Sequence, residues 1–357
     1  MTKTTRQIAA GSIKIGGGAP VTVQSMTNTD TADAESTAAQ IKKLAAAGCE
    51  IVRCSVYSAA CAKALPEIKA NIPLPLVADV HFDYRLAIAA IENGADKLRF
   101  NPGNIGAESR VRALVRCAKT HHVPIRIGVN AGSLEPELKK KYAGDTVSAM
   151  MESALKHVRI LEREGFGDIV LSLKASNVRD TVEAYRKISE IVDYPLHIGV
   201  TETGDAENGI VKSAAGIGAL LLDGIGDTIR VSLTDDPVRE VVTGLRILRA
   251  AGLRRDDIEL VSCPTCGRTR VDLMRMVEIV NSRLPHNAGY LKVAVMGCAV
   301  NGPGEAADAD IGVAFGNGNG VLFCRGAQVY HGTAEQAVGE LVARATKMLK
   351  EKNDSCV

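Results

Sequence analysis

The chain has no tryptophan, and phenylalanine, tryptophan and tyrosine together make up 3% of its 357 residues. Stacked aromatic platforms of the kind that hold single strands and RNA loops are excluded as an organising feature. An excess of one charge is also missing. Lys+Arg at 43 against Asp+Glu at 41 leaves a net charge of +2, so no global field draws the chain toward nucleic acid or anionic lipid, and neither is expected as a partner. The longest apolar run, 214–222, is interrupted by glycine and falls well short of the roughly 18 residues a membrane span requires. Residues 1–18 show neither an apolar leader core nor an arginine-rich amphipathic pattern, so a cytoplasmic protein is expected. Nine cysteines, an odd and unevenly spaced set with no leader before them, read as thiols with metal or redox use and not as a disulfide framework.

What is present is a period. Short β-rich runs at 21–25, 50–55, 75–81, 96–101, 124–130, 168–174, 195–202 and 228–232 are each followed by a helix-patterned stretch, with starts 21 to 44 residues apart. Eight such units are what a closed (β/α)8 TIM barrel requires. A doubly wound open sheet is the alternative, but no glycine fingerprint follows the first strand at 26–30. A short run at 12–15 and the glycines 16–18 predict a turn at the barrel bottom. The eighth helix is expected at 236–251, and 252–257 is a polar connection. A smaller α+β domain follows, with strands expected at 258–262, 291–296, 311–315 and 321–324, a hairpin turn at 316–320 and a helix at 334–350. The chain is thus divided into a barrel, 1–254, and a second domain, 255–357.

Barrel active sites lie at the carboxyl ends of the strands. Those ends carry Arg53, then Asp79 with His81, Arg99 with Asn101, Arg126 with Asn130, Ser172 with Lys174, Glu202, and Arg230 with Ser232. Within each pair the spacing is two or four, which puts both side chains on one face of a strand. So many cations around one mouth, interleaved with amides and hydroxyls, suit a phosphate or diphosphate ester. Four charge-assisted contacts of about 1.5–3 kcal/mol each give roughly 6–12 kcal/mol before entropic costs, against about 8 for micromolar affinity. Elsewhere the plain reading holds: Arg110, Arg112 and Arg116 form a solvated helix face, and His121 and His122 a helix end.

Cys263 and Cys266 form a CxxC after the first strand of the second domain, and Cys298 follows the next strand. A CxxC alone is ambiguous among redox, zinc and cluster use. Structural zinc wants four ligands and would need His286 or Cys324 from an unrelated position. A [4Fe-4S] cube held by three thiolates leaves one iron for a weaker ligand or a substrate. The turn sequence 301–305 could return Glu305 to the same metal as a fourth, displaceable ligand. Cys49, Cys54, Cys61, Cys117, Cys324 and Cys356 have no partner at ligand spacing and read as filler.

The segments 23–29, 79–81, 98–103, 126–132, 171–174, 200–202, 263–268 and 297–305 together resemble the bacterial hydroxymethylbutenyl diphosphate synthases of the non-mevalonate isoprenoid pathway, in their short two-domain form. The resemblance implies reductive ring opening of methylerythritol cyclodiphosphate with loss of water, one [4Fe-4S] cluster per chain, and electrons from flavodoxin or ferredoxin. It implies cluster ligands at Cys263, Cys266, Cys298 and Glu305. It also implies substrate contacts at Arg53, His81, Arg99, Asn101, Arg126, Asn130, Lys174, Arg230 and Ser232, to which the strand-end reading adds Asp79, and a carboxylate near the reacting centre at Glu202. Chain topology, with the eighth helix ending at the barrel bottom, predicts a homodimer in which each cluster domain caps the other subunit's mouth, and the resemblance supports it. Two rivals stand beside this reading: a non-redox hydro-lyase that turns over without reductant, and a zinc-stapled barrel that only binds a phosphorylated ligand.

Overall fold

The computed structural model describes residues 4–101, 104 and 107–354. Pro102 and Gly103 of the segment 98–103, and Cys356, lie outside the described residues. The chain divides into two compact units, 1–254 and 255–357.

The first unit opens with a hairpin, β1 (Ile8–Ala10) and β2 (Ile13–Ile15), whose first strand the sequence reading did not anticipate. Eight parallel strands follow: β3 (Thr22–Met26), β4 (Ile51–Ser55), β5 (Leu76–Asp79), β6 (Lys97–Arg99), β7 (Ile125–Asn130), β8 (Ile169–Lys174), β9 (His197–Ile198) and β10 (Thr228–Ile229). They are hydrogen-bonded in the order β8-β7-β6-β5-β4-β3-β10-β9, and a parallel bridge from Leu171 to Leu196 joins the two ends into a barrel. All eight runs read from the sequence form; the first keeps its length, shifted by one residue, and the other seven are shorter than expected. The last two shrink most, because their carboxyl ends leave the ladder to carry mouth residues.

Helices α1 (Ala34–Ala46), α2 (Ala59–Ala70), α3 (Tyr84–Glu92), α4 (Glu108–Thr120), α5 (Pro136–Lys141), α6 (Thr146–Arg163), α7 (Val178–Ile191), α8 (Ala206–Leu222) and α9 (Pro237–Ala250) fill the crossovers. Most start on a side chain that takes up an orphan N–H. Asp33, Ser58, Asp83, Asp145, Asn177, Asp205 and Asp236 each accept from a backbone N–H in the first turn that follows. Their apolar faces pack on the outward side of the strands in one core, with Ile41, Leu65, Leu114, Leu161, Ile188 and Leu248 buried.

The bottom of the barrel is closed by the hairpin. Ile8, Ala10 and Ile15 form one buried cluster with Ile51, Val77 and Val170 from the strands. Thr5 Oγ1 donates to Asp227 at 2.7 Å and Arg6 pairs with Asp193 at 2.9 Å, fixing the segment to the loops beneath.

The second unit is a five-stranded mixed sheet: β11 (Ile258–Ser262), β12 (Leu291–Met296), β13 (Ile311–Gly316), β14 (Asn319–Cys324) and β15 (Ala327–Thr333), in sequence order. The first three strands are parallel and the last two antiparallel. Helices α10 (Leu273–Arg283), α11 (Gly302–Ala307) and α12 (Ala334–Asp354) complete it. Three expectations are corrected. The hairpin turn is only Asn317-Gly318, both at positive φ as a tight two-residue turn demands. The segment 301–305 is not a plain turn, since from Gly302 it forms α11. Strand β15, a largely exposed edge, was not read at all.

Candidate active site

The inward-facing residues of the barrel change from apolar at the hairpin to polar at the mouth. There a cavity of about 190 Å³ is lined by Arg53, Asp79, His81, Arg99, Arg126, Gly128, Asn130, Ser172, Lys174, Thr201, Arg230 and Ser232. Nine of the ten residues proposed from the strand ends for substrate contact are in that lining; the tenth, Asn101, is not. Alternation along the strands explains the convergence, since Arg126, Gly128 and Asn130 share one face of β7 and Ser172 and Lys174 one face of β8.

Charge is unbalanced here. Five cations, Arg53, Arg99, Arg126, Lys174 and Arg230, line the cavity with one carboxylate, Asp79. Asp79 pairs with Arg99 at 3.2 Å, with His81 at 3.5 Å and with Arg53 at 3.6 Å. Burial opposes its ionisation, but Arg53, His81 and Arg99 outweigh that and hold its carboxyl well below the usual range. Arg53 also rests on the Met26 thioether, at 3.1 Å from Nε. Its own charge is disfavoured by burial, and the repulsion of Arg230 and Arg99 works against Asp79, so its value falls to about 10. Glu240 on α9 steadies Arg230 at 3.2 Å.

Among the described residues Arg126 has no such ion pair. It is 2% exposed, its Nε and Nη2 meet no hydrogen-bond partner among the described residues, and burial, then Arg53 and Arg99, push its value well down. Lys174 is pushed down likewise by burial, then by Arg230, Arg126 and Arg53. Uncompensated buried cations cost free energy unless an anion joins them, so the mouth is built for a polyanion.

Two expected contacts behave differently. Asn101 gives both ends of its amide to Gly128, donating to its carbonyl at 2.9 Å and accepting from its N–H at 2.9 Å. It therefore braces β7, and Arg99 joins it on the same carbonyl at 3.0 Å. Glu202 is exposed and outside the cavity lining, at φ 52, an uncommon conformation for a residue with a Cβ. Its Oε1 lies 3.6 Å from where a side chain on Gly132 would begin, which brings the loops after β7 and β9 together.

Sequence reasoning missed Thr201 and the buried residues beneath the cavity, Lys97 and His197. Their signal was available: Lys97 is two before Arg99, and His197 two before Gly199 and four before Thr201, so each shares the inward face.

In the second unit Cys263 and Cys298 follow the ends of the adjacent parallel strands β11 and β12, with Ser262 level with Val295. Cys263 Sγ accepts from the Gly297 N–H at 3.2 Å. Backbone N–H and guanidinium donation from Arg268, with Thr269, holds the Cys266 thiol below its usual value. Backbone N–H groups of Asn301, Val300 and Gly302 do the same for Cys298. Three sulfurs provided with N–H donors fit anionic metal ligands. Glu305 sits exposed in the first turn of α11. Among the described residues no three His, Cys, Asp or Glu side chains converge on a single ion.

The comparisons with known proteins agree across the chain. The family described as the GcpE TIM-barrel domain matches residues 5–245, and the GcpE protein C-terminal domain matches 259–347. Proteins named 4-hydroxy-3-methylbut-2-en-1-yl diphosphate synthase (flavodoxin) are close relatives. The one from Caldanaerobacter subterraneus subsp. tengcongensis is 56% identical, covering 99% of each chain. That of Geobacter sulfurreducens is 55% identical, covering 99% of this chain and all of its own. Among solved structures, dihydropteroate synthase from Xanthomonas albilineans is similar over 70% of this chain and 99% of its own, at 14% identity and a TM-score of 0.49. With a matching domain over most of each unit and relatives above half identity along the full length, the chain belongs to the GcpE family.

Proposed function

We propose that the protein is a cytoplasmic iron–sulfur oxidoreductase that converts 2-C-methyl-D-erythritol 2,4-cyclodiphosphate to 4-hydroxy-3-methylbut-2-enyl diphosphate. Two electrons and two protons enter, the ring C–O bond breaks, and one water leaves. The observation that carries this reading is the cation-rich mouth, with Arg126 buried and unpaired at its wall. Arg53, Arg99, Arg126, Lys174 and Arg230 bind the diphosphate, while His81, Asn130 and Ser232 supply hydrogen bonds to it or to the diol. Asp79 orients Arg53 and Arg99, and Asn101 acts through Gly128 of β7. Glu202, on the exposed side of the mouth, handles a proton near the reacting carbon.

Cys263, Cys266 and Cys298, with Glu305, would hold one [4Fe-4S] cluster per chain. When bound, such a cluster supplies electrons one at a time and a Lewis-acidic iron. A flavodoxin is the donor named for the relatives, and a flavodoxin or ferredoxin is the expected partner here.

We further propose a homodimer in which the cluster unit of one chain serves the barrel of the other. Arg254 Nη2 is tied to Glu50 at 2.6 Å and to the Val21 carbonyl at 3.1 Å, both just before strands and hence at the barrel bottom. Only residues 255–257 separate it from β11, a reach of at most about 14 Å from Arg254 to Ile258. Exposed Tyr57 and Phe82 in the loops after β4 and β5, and exposed Met274 and Val300 beside the cysteines, are apolar surfaces suited to cover.

The test is iron and sulfide content after purification without oxygen, followed by turnover with reduced flavodoxin. About four irons per chain and reductant-dependent product are expected. Stoichiometric zinc without iron, or turnover without reductant, refutes the reading in favour of the binding barrel or the hydro-lyase. For the dimer, mixing Cys263→Ser chains with Arg126→Ala chains should rescue activity, because one of the two composite sites is then intact.

A further inference from the structure

Lys174 lines the cavity at the end of β8, yet only 6% of it is exposed. Its Nζ lies 3.4 Å from Nε2 of His197, a fully buried residue on β9. Nδ1 of the same ring lies 3.3 Å from Thr228 Oγ1 on β10, and Thr228 is the register partner of His197. An ammonium has donors only, whereas a threonine hydroxyl can accept. With Lys174 as an ammonium, Nε2 is the acceptor and the ring proton is on Nδ1, facing Thr228 Oγ1.

The surroundings keep that ring neutral. Burial, then Arg126, Lys174, Lys97 and Arg53, hold His197 well below the usual histidine value. After burial, Arg230 presses on Lys174 first, then Arg126 and Arg53, and Glu240 opposes them. Hydrogen bonding to its charged form is what can keep Lys174 an ammonium. Room for the amine comes from Gly199, where a Cβ would stand 2.7 Å from Nζ and 2.3 Å from the Arg230 carbonyl oxygen.

We propose that His197 is the positioning residue for Lys174: anchored on Thr228, it accepts from the ammonium, holds that charge at the cavity and thereby sets the alkaline limit of diphosphate binding. This rests on the diphosphate reading given above. His197 touches no reacting atom and acts through Lys174.

The experiment is calorimetric binding of inorganic pyrophosphate to the holoenzyme from pH 6 to 9.5, with wild type, His197→Leu, His197→Gln and Thr228→Val. His197→Leu should weaken binding roughly ten- to a hundredfold, the loss of one charge-assisted hydrogen bond, and move the alkaline limb to lower pH. His197→Gln, which keeps an acceptor, should recover most of the affinity, and Thr228→Val should fall between. With substrate, KM should rise while kcat stays. Equal losses in the Leu and Gln variants with an unmoved limb, or wild-type binding in both, overturn the proposal. If the Leu variant does not fold, an unmoved limb in Thr228→Val overturns it instead. Absence of pyrophosphate binding by wild type removes the diphosphate reading and this inference with it; binding by wild type with unmoved variant limbs removes this inference alone.

Discussion

Lys97 offers a test of how the barrel interior tolerates charge. It is fully buried on the inward face of β6, its Nζ meets no hydrogen-bond partner among the described residues, and Arg126 and Arg53 are its charged neighbours. Burial, then those two arginines, push its value far below that of an ordinary lysine. An unsatisfied buried polar group costs about 1–3 kcal/mol, and Lys97→Met keeps the length of the stem at a repacking cost of up to about 1 kcal/mol. The variant should therefore be more stable by about 1–2 kcal/mol at pH 7. At about 2–4 °C per kcal/mol for a unit of this size, its melting temperature should rise by roughly 2–8 °C. The pH dependence has a definite sign. The folded value is depressed, so the unfolded chain binds more protons, and wild-type stability climbs with pH until the unfolded value near 10 is passed. The advantage of Lys97→Met should be full at neutral pH and shrink as pH approaches 10. Calorimetric melting of both proteins at pH 7, 8.5 and 10 checks it. A Met variant less stable than wild type at pH 7 refutes the reasoning, since the amine would then be making favourable contacts.

Asp79→Asn should cost about 3 kcal/mol at pH 7, because it leaves Arg53 and Arg99 without their counter-charge. Since the folded carboxyl titrates below its unfolded value, that deficit should narrow as pH falls below about 4, as read by urea unfolding across pH 3–7. Gly199→Ala places a Cβ 2.3 Å from the Arg230 carbonyl; a loss of about 1–3 kcal/mol in stability and weaker pyrophosphate binding are expected by melting and calorimetry. Asn101→Ala leaves the Gly128 N–H without its acceptor and its carbonyl to Arg99 alone, and should destabilise by about 1–2 kcal/mol, with a raised KM as β7 loses its brace. Glu305→Ala should retain most of its iron and sulfide by direct assay while turnover with reduced flavodoxin is lost; normal turnover would remove Glu305 from the chemistry.

Where a residue's role follows from strand alternation, it was legible in the sequence. Arg99, Arg126, Ser172 and Lys174 face one cavity because strands of this fold have only two faces, and a polar residue near a carboxyl end has one place to go. Asn101 shows the limit: it follows β6 as expected but is outside the cavity lining, because its amide is taken up by Gly128, and no spacing encodes that. Glu202 is similar, since a left-handed backbone at a residue with a side chain is set by tertiary contacts. Lys97 and His197 lie below the strand ends, inside runs whose central residues are mostly apolar, and only their alternation with Arg99 and Thr201 marks them as inward-facing. Edge strands β1 and β15 are short or half-exposed and lack the apolar run by which the central strands announce themselves.

The hairpin of β1 and β2 makes the barrel a vessel with a stopper. With Ile8, Ala10 and Ile15 wedged among Ile51, Val77 and Val170, and the segment anchored at Thr5 and Arg6, the apolar end is filled by side chains. Among the described residues the opening is then at the cationic end, and reactant and product use it in turn. Any body that shuts that opening during turnover also imprisons the product, so the rate of reopening would sit in series with the chemistry and could set the pace of the whole cycle.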